Sequence, residues 1–129
     1  LQLETFPANF ALIGQQFMQA FYATLQTNRE QLANFYYDQA MLTYEGAQLM
    51  GKAAIMTKYR SLGFQHISMA ITNADYQPVE RGVLIAVNGQ LRVDDATQPL
   101  PFTETFLLRS FGQSFAIVNH IFRLGVHNY

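Results

Sequence analysis

Nine carboxylates, eight lysines and arginines, and three histidines are all the charged or titratable chemistry that this chain of 129 residues brings beyond its tyrosines. The segment Gly46-Ala47-Gln48-Leu49-Met50-Gly51-Lys52-Ala53 nearly spells G-x4-G-K-[ST], a loop whose backbone amides and lysine cradle phosphates. It fails where the chemistry lies. Ala53 has no hydroxyl for magnesium and Leu49-Met50 makes the loop interior apolar, so the segment reads as a tight turn and a helix start with Lys52 in solvent. His66, His120 and His127 stand far apart with no ligand-like spacing and read as structural histidines. No G-x-S-x-G signature occurs, and with no cysteine there is no disulfide, thiolate nucleophile or cysteine metal site. Neither a catalytic residue nor a metal or cofactor is expected.

Three acids sit at strand ends. Glu45 follows Leu42-Thr43-Tyr44, and Asp94-Asp95 follows Leu91-Arg92-Val93. Taken singly each is an ordinary solvated turn residue. If the two strands border one cavity, the acids stand at its rim, and an acidic rim round an apolar pocket suits a peptide that offers a hydrophobic side chain between basic ones.

The elements that must position these residues follow from periodicity. Phe10, Ile13, Phe17, Phe21 and Leu25 recur at helical spacing, with Thr5 or Asn9 as cap and Pro7 near the first turn. A shorter helix is predicted from Leu32, a strand through Leu42 and Tyr44 up to Gly46, and a third helix from about Gly51 to Leu62. The second half alternates as strands: Phe64–Tyr76 ended by Gln77-Pro78, Val83–Asp94 with a bulge or bend at Gly89, Phe102–Phe111 and Phe115–Leu124. Helices placed ahead of consecutive antiparallel strands predict an α+β fold with three helices on a strongly bent sheet. The last strand is apolar on both faces, with Phe115, Ile117 and Ile121 on one side and Ala116, Val118, Phe122 and Leu124 on the other. A second copy of the chain is the expected cover for the outer face.

Hydrophobic residues make up 50% of the chain and charged ones 13%, which excludes disorder by low hydrophobicity and points to surface hidden against a partner. A formal net charge of -1 supplies no field for nucleic acid or an anionic membrane. No apolar run reaches the ~18 residues of a membrane span and Leu1-Gln2-Leu3-Glu4 lacks a signal peptide's basic segment. One soluble, intracellular domain over residues 1–129 is expected.

The order Phe35-Tyr36-Tyr37-Asp38, Leu42-Thr43-Tyr44-Glu45-Gly46, Gly51-Lys52-Ala53-Ala54-Ile55 and Leu62-Gly63-Phe64-Gln65 closely resembles the nuclear transport factor 2 family. So do Gly89-Gln90-Leu91 with Asp94-Asp95, Phe106-Leu107-Leu108, and Ile121-Phe122-Arg123-Leu124 with His127-Asn128. The resemblance covers nearly all of the chain from Phe10 and implies a homodimer of cone-shaped subunits. It also implies that the chain carries the GDP form of the small GTPase Ran through the nuclear pore, between cytoplasm and nucleus, and binds phenylalanine-glycine repeats of nucleoporins. In that family an aromatic side chain of the GTPase enters the open end of the cone and acids at the rim meet basic residues. By resemblance the rim glutamate falls on Glu45, with Tyr44 in place of a tryptophan, and the first rim aspartate on Asp94. A second acidic position falls on Ala96, with Asp95 beside it. Cavity positions fall on Tyr44, Leu62, Phe64, Ile67, Leu91, Val93, Ile121 and Phe122, and the nucleoporin-contacting aromatic on Phe10.

Two other classes compete. Isomerases and dehydratases share such a cone, but they need an acid–base pair inside it, and the expected cavity positions here are Leu, Phe, Ile and Val. A subunit of a heterodimeric messenger-RNA export factor is the other, told apart by its mass in isolation.

Overall fold

The computed structural model describes residues 7–125. Helix α1 (Phe10–Thr27) buries Gly14, Met18, Phe21, Tyr22 and Leu25, with Phe10, Ile13 and Phe17 half-buried beside them. The predicted stripe is therefore one edge of a wider face, and the strongest buried positions include Met18 and Tyr22, which the stripe left out. At Gly14 an added Cβ would run into the Tyr76 ring, so glycine permits the close approach of helix to sheet. Asn9 caps through its backbone carbonyl, which accepts the Ile13 N–H at 3.1 Å, and its side chain makes no cap bond. Thr5, the other cap candidate, lies outside the described residues, as do His127 and Asn128.

Arg29–Phe35 is a 3-10 helix rather than the expected short α-helix. β1 (Tyr36–Tyr44) and β2 (Ala47–Met50) then form a hairpin, with Tyr44 opposite Ala47 and Glu45-Gly46 as its loop. Both loop residues have positive φ, 50° and 87°, the backbone of a type I′ turn whose twist matches the strands. The stretch that resembles a phosphate loop is thus an edge strand followed by Gly51 at φ 94° and helix α2 (Lys52–Ser61). Lys52 Nζ lies 3.4 Å from Asp38 Oδ1, a half-exposed pair rather than a free cation.

β3 (Ile67–Val79), β4 (Gly82–Val93), β5 (Leu100–Phe111) and β6 (Ser114–Leu124) complete a curved, six-stranded sheet in the order β2-β1-β6-β5-β4-β3. All neighbours are antiparallel except β1 and β6, which run parallel and join the two halves of the chain. The sheet curves round the helices without closing: α1 packs on β3 and β4, α2 on β1. β3 runs on through Gln77-Pro78 because it is an edge strand, where a missing N–H breaks no ladder. The bulge expected at Gly89 lies opposite it. Thr72 is the extra residue between the pairs Ile71–Gly89 and Asn73–Asn88, and a side chain on Gly89 would strike the Ala70 carbonyl and the Phe102 ring.

A second irregularity corrects the reading of β6. Leu107 pairs with Asn119 but Leu108 with Ile117, so Val118 is an extra residue and the alternation of faces reverses there. Ile117, His120 and Phe122 are buried with Phe115 and Leu124 packed beside them, while Asn119, Ile121 and Arg123 are exposed. Ile121 therefore does not share a face with Ile117. At the centre of the core the Phe21 ring meets Phe106 at 5.3 Å, Phe35 at 5.6 Å and His120 at 6.0 Å, all edge to face. Each such burial contributes about 1.5 to 3 kcal/mol.

Candidate functional site

Between α1, α2 and the inner face of the sheet lies a cavity of about 190 Å³. Seven of the eight expected cavity residues line it: Tyr44 from β1, Leu62 and Phe64 from the loop after α2, Ile67 from β3, Leu91 and Val93 from β4, and Phe122 from β6. Ile121 does not. It is 48% exposed on the outer face, opposite Thr43 and Thr105, because the Val118 bulge turns it away. Tyr44 and Phe122 stack at 4.7 Å between ring centres and form one wall.

The rim acids are more engaged than expected. Glu45 accepts the Leu124 N–H on Oε2 at 3.0 Å and donates its own N–H to the Phe122 carbonyl, also at 3.0 Å. These bonds hold a glutamate in the left-handed backbone region that the turn demands and that normally favours glycine or asparagine. Asp94, at φ 47°, accepts the N–H groups of His66 and Gln65 on Oδ1 at 2.9 Å each. Those two bonds are the first causes that hold its carboxyl below the usual carboxylate range, with smaller help from His66 and Arg29 charge. Asp95 and Ala96 are exposed in the same turn, closed by the Ala96 N–H to the Val93 carbonyl at 3.0 Å. Because Glu45 follows Tyr44 and Asp94 follows Val93, both acids sit next to residues that line the cavity.

Sequence reasoning missed two cations at this mouth. Arg29 donates to the Phe64 carbonyl at 2.7 Å and sets its guanidinium 4.4 Å from the Phe64 ring centre, and Lys58 Nζ lies 4.9 Å from that of Tyr44. The rim is acidic with cations tucked against its aromatic rings.

The interior contradicts the expectation of an apolar cone. Tyr22 donates to Glu104 Oε1 at 2.7 Å, and Glu104 Oε2 lies 2.6 Å from His120 Nε2. His120 Nδ1 is 2.9 Å from the Tyr36 hydroxyl, which is 2.9 Å from that of Tyr59. All five residues are buried, so the chain of bonds satisfies groups that are costly to bury alone. Burial, reinforced by the Glu104 charge, raises the hydroxyls of Tyr22 and Tyr59 far above the ordinary tyrosine value; burial and neighbouring Tyr59 do so for Tyr36. Glu104 and Tyr59 also line the cavity, together with Leu25, Met69, Leu100 and Leu124. The signal was present in the alternation Phe102, Glu104, Phe106, Leu108, whose four members share the inner face. His120 is a satisfied core histidine, as expected, but it is paired with an acid that the reading overlooked. His66 lies exposed by the mouth. Among the described residues no group of three or more His, Cys, Asp or Glu is placed to hold a metal ion, and no helix is long and apolar enough to cross a membrane.

Among the described residues an open curved sheet folds over three helices, with a pocket inside and acids at its mouth, which defines a cone-shaped α+β domain. The domain family described as Nuclear transport factor 2 (NTF2) matches residues 13–124, and the chain belongs to the nuclear transport factor 2 family. It is similar to nuclear transport factor 2 of Candida glabrata, 39% identical over 118 residues that span 90% of this chain and 94% of that one. Its counterpart in Eremothecium gossypii is 40% identical with the same coverage. The solved structure of nuclear transport factor 2 from Cryptosporidium parvum superposes with a TM-score of 0.89 at 43% identity, covering 93% of this chain and 98% of that one. These relatives carry the name nuclear transport factor 2, and membership of their family gives the chain a role in nuclear transport.

Proposed function

We propose that this chain, as a single domain that forms a homodimer, binds the GDP form of the small GTPase Ran and carries it into the nucleus by engaging phenylalanine-glycine repeats of nucleoporins. It works in cytoplasm and nucleus and at the nuclear pore. The observation that carries the reading is the cavity of about 190 Å³ with Glu45 and Asp94 beside it. An apolar cavity of about 150 Å³ takes one benzene ring, so this one suits a single aromatic side chain. The rim acids, with Asp95 in support, then meet basic residues flanking that side chain.

The homodimer uses the outer face of the sheet. There Leu84 pairs with Leu107, and Ala86 with Thr105, which in turn faces Ile121, giving a half-exposed apolar centre inside a border that includes Arg92, Arg109 and Arg123. Nucleoporin repeats meet Phe10, half-buried at the first residue of α1.

Calorimetric titration of wild type, Glu45→Gln and Glu45→Lys with Ran in both nucleotide states tests the carrier mechanism. The glutamine keeps an acceptor for the Leu124 N–H while it removes the charge, and should weaken binding about tenfold; the lysine should abolish it. Equal affinities for all three, or a wild type indifferent to the nucleotide, would sink it. Phe10→Ala should weaken repeat binding and leave the dimer intact. A chain that sediments as a monomer would instead favour the heterodimeric export subunit.

A further inference from the structure

The floor of the cavity is built for something that an apolar side chain does not use. Glu104 is 5% exposed and is among the residues that line the cavity. Tyr22 occupies one position on Oε1 and His120 one on Oε2. A carboxylate has about four acceptor positions, so each oxygen keeps capacity that no described residue fills. An occupant without a donor would bury that capacity against hydrocarbon.

We propose that the cavity binds a small para-substituted phenol, with its hydroxyl donating to Glu104 and its ring against the stacked wall of Tyr44 and Phe122. Four observations combine in this assignment. The volume of about 190 Å³ accommodates one ring with one or two further heavy atoms. The remaining lining is almost wholly apolar, Leu25, Leu91 and Val93 among it, which selects a ring and not a sugar or a nucleotide. Only Glu104, Tyr44 and Tyr59 among the lining residues carry a polar side-chain group, which selects a ligand with few polar atoms. Lastly, a neutral donor suits the floor better than a cation, because an ammonium would have to shed its water in a narrow apolar space already holding the Glu104–His120 pair. A phenol gains a charge-assisted hydrogen bond without that cost.

The site is the cavity of the proposed carrier function. Its competition with the GTPase rests on that reading; direct binding of the phenol does not.

The probes are p-cresol, 4-methylanisole and toluene, which share a ring and a methyl group and differ in the donor. Each is titrated into the wild-type protein with detection by nuclear magnetic resonance of the side chains of Leu91 and Phe122. p-Cresol should bind at least about tenfold more tightly than the two analogues, the range expected for a hydrogen bond to a charged acceptor. Glu104→Gln should reduce that preference, and because this variant leaves Tyr22 and His120 with a changed partner its fold is checked by circular dichroism. The wild-type comparison of p-cresol with 4-methylanisole decides the matter even if the variant does not fold. Equal affinities for all three ligands, or no perturbation of cavity residues by p-cresol, would overturn the proposal. In a second arm p-cresol is added to the wild-type protein with GDP-loaded Ran. Loss of Ran binding supports a shared cavity. Direct phenol binding with no such loss keeps the phenol site and removes the aromatic-docking step of the carrier reading.

Discussion

Glu104 and His120 are diagonal neighbours on the inner face of two paired strands. Glu104 lies opposite Phe122 and His120 opposite Phe106, so their side chains meet across one register step at 2.6 Å. Both sit within the aromatic core, where the Phe106 ring stacks on the imidazole at 4.2 Å. An acid–imidazole pair in such a place must be matched on both sides, because a buried charge without its partner is costly.

Removing one member should therefore be severe. Glu104→Ala leaves the Tyr22 hydroxyl and His120 Nε2 unpartnered and should cost about 3 to 5 kcal/mol by urea denaturation. An effect below about 1 kcal/mol would mean that water or rearrangement takes over the role of the carboxylate.

The buried tyrosines predict a loss of stability in alkali. Burial raises the hydroxyls of Tyr22, Tyr36 and Tyr59 above their unfolded value of about 10. A raised folded value means that their contribution is fully present below about pH 10 and is lost as the pH rises past it, since the unfolded chain ionises first. Tyrosinate absorbance from these three should appear together with global unfolding. Ionisation of all tyrosines before any loss of far-ultraviolet dichroism would contradict the buried arrangement.

Asp94 predicts the opposite limb. Its carboxyl is held below the ordinary value near 4, so its contribution is present above about pH 4 and disappears as the pH falls through the depressed value. Asp94→Ala removes the acceptor of the Gln65 and His66 N–H groups and should loosen the loop ahead of β3. Hydrogen exchange at those two amides measures this directly. Asp94→Asn keeps an oxygen in place, so it should restore slow exchange while still weakening Ran, which separates the loop's need from recognition.

On the outer face, Ile121→Arg places a charge at the centre of the proposed dimer contact. Analytical ultracentrifugation should show monomer where wild type gives dimer, and p-cresol should still perturb the cavity of the monomer. A dimer that persists unchanged would move the interface elsewhere.

Much of this was legible in residue order. The helical stripe from Phe10 to Leu25 and the alternation in the last four strands located α1 and the sheet, and the apolar positions ahead of Glu45 and Asp94 located the cavity wall. The failures have local causes. β2 escaped because Ala47–Met50 is only four residues at a sheet edge, and the flanking Gly46 and Gly51 matched a different motif. Ile121 was placed on the wrong side because one unpaired residue, Val118, reverses a period-two pattern, and no side chain announces such a bulge. Glu104 was readable from its parity with Phe102 and Phe106. It was passed over because an acid on an inner face is unfavourable until its partners are known, and Tyr22 and His120 are 82 and 16 residues away.

The parallel pairing of β1 with β6 has a consequence for the birth of the molecule. During synthesis β1 and its hairpin emerge before β3, β4 and β5, and β6, the strand that seats them in the sheet, follows only after those three. Until then the inner faces of β1 and β5, with Leu42, Phe102 and Phe106, have open neighbours, and closing a loop of this length is slow relative to local contacts. The nascent chain therefore waits with its core ajar, and a stalled or truncated product lacking Ser114–Leu124 is a substrate for chaperones and proteases and not a smaller version of the folded domain.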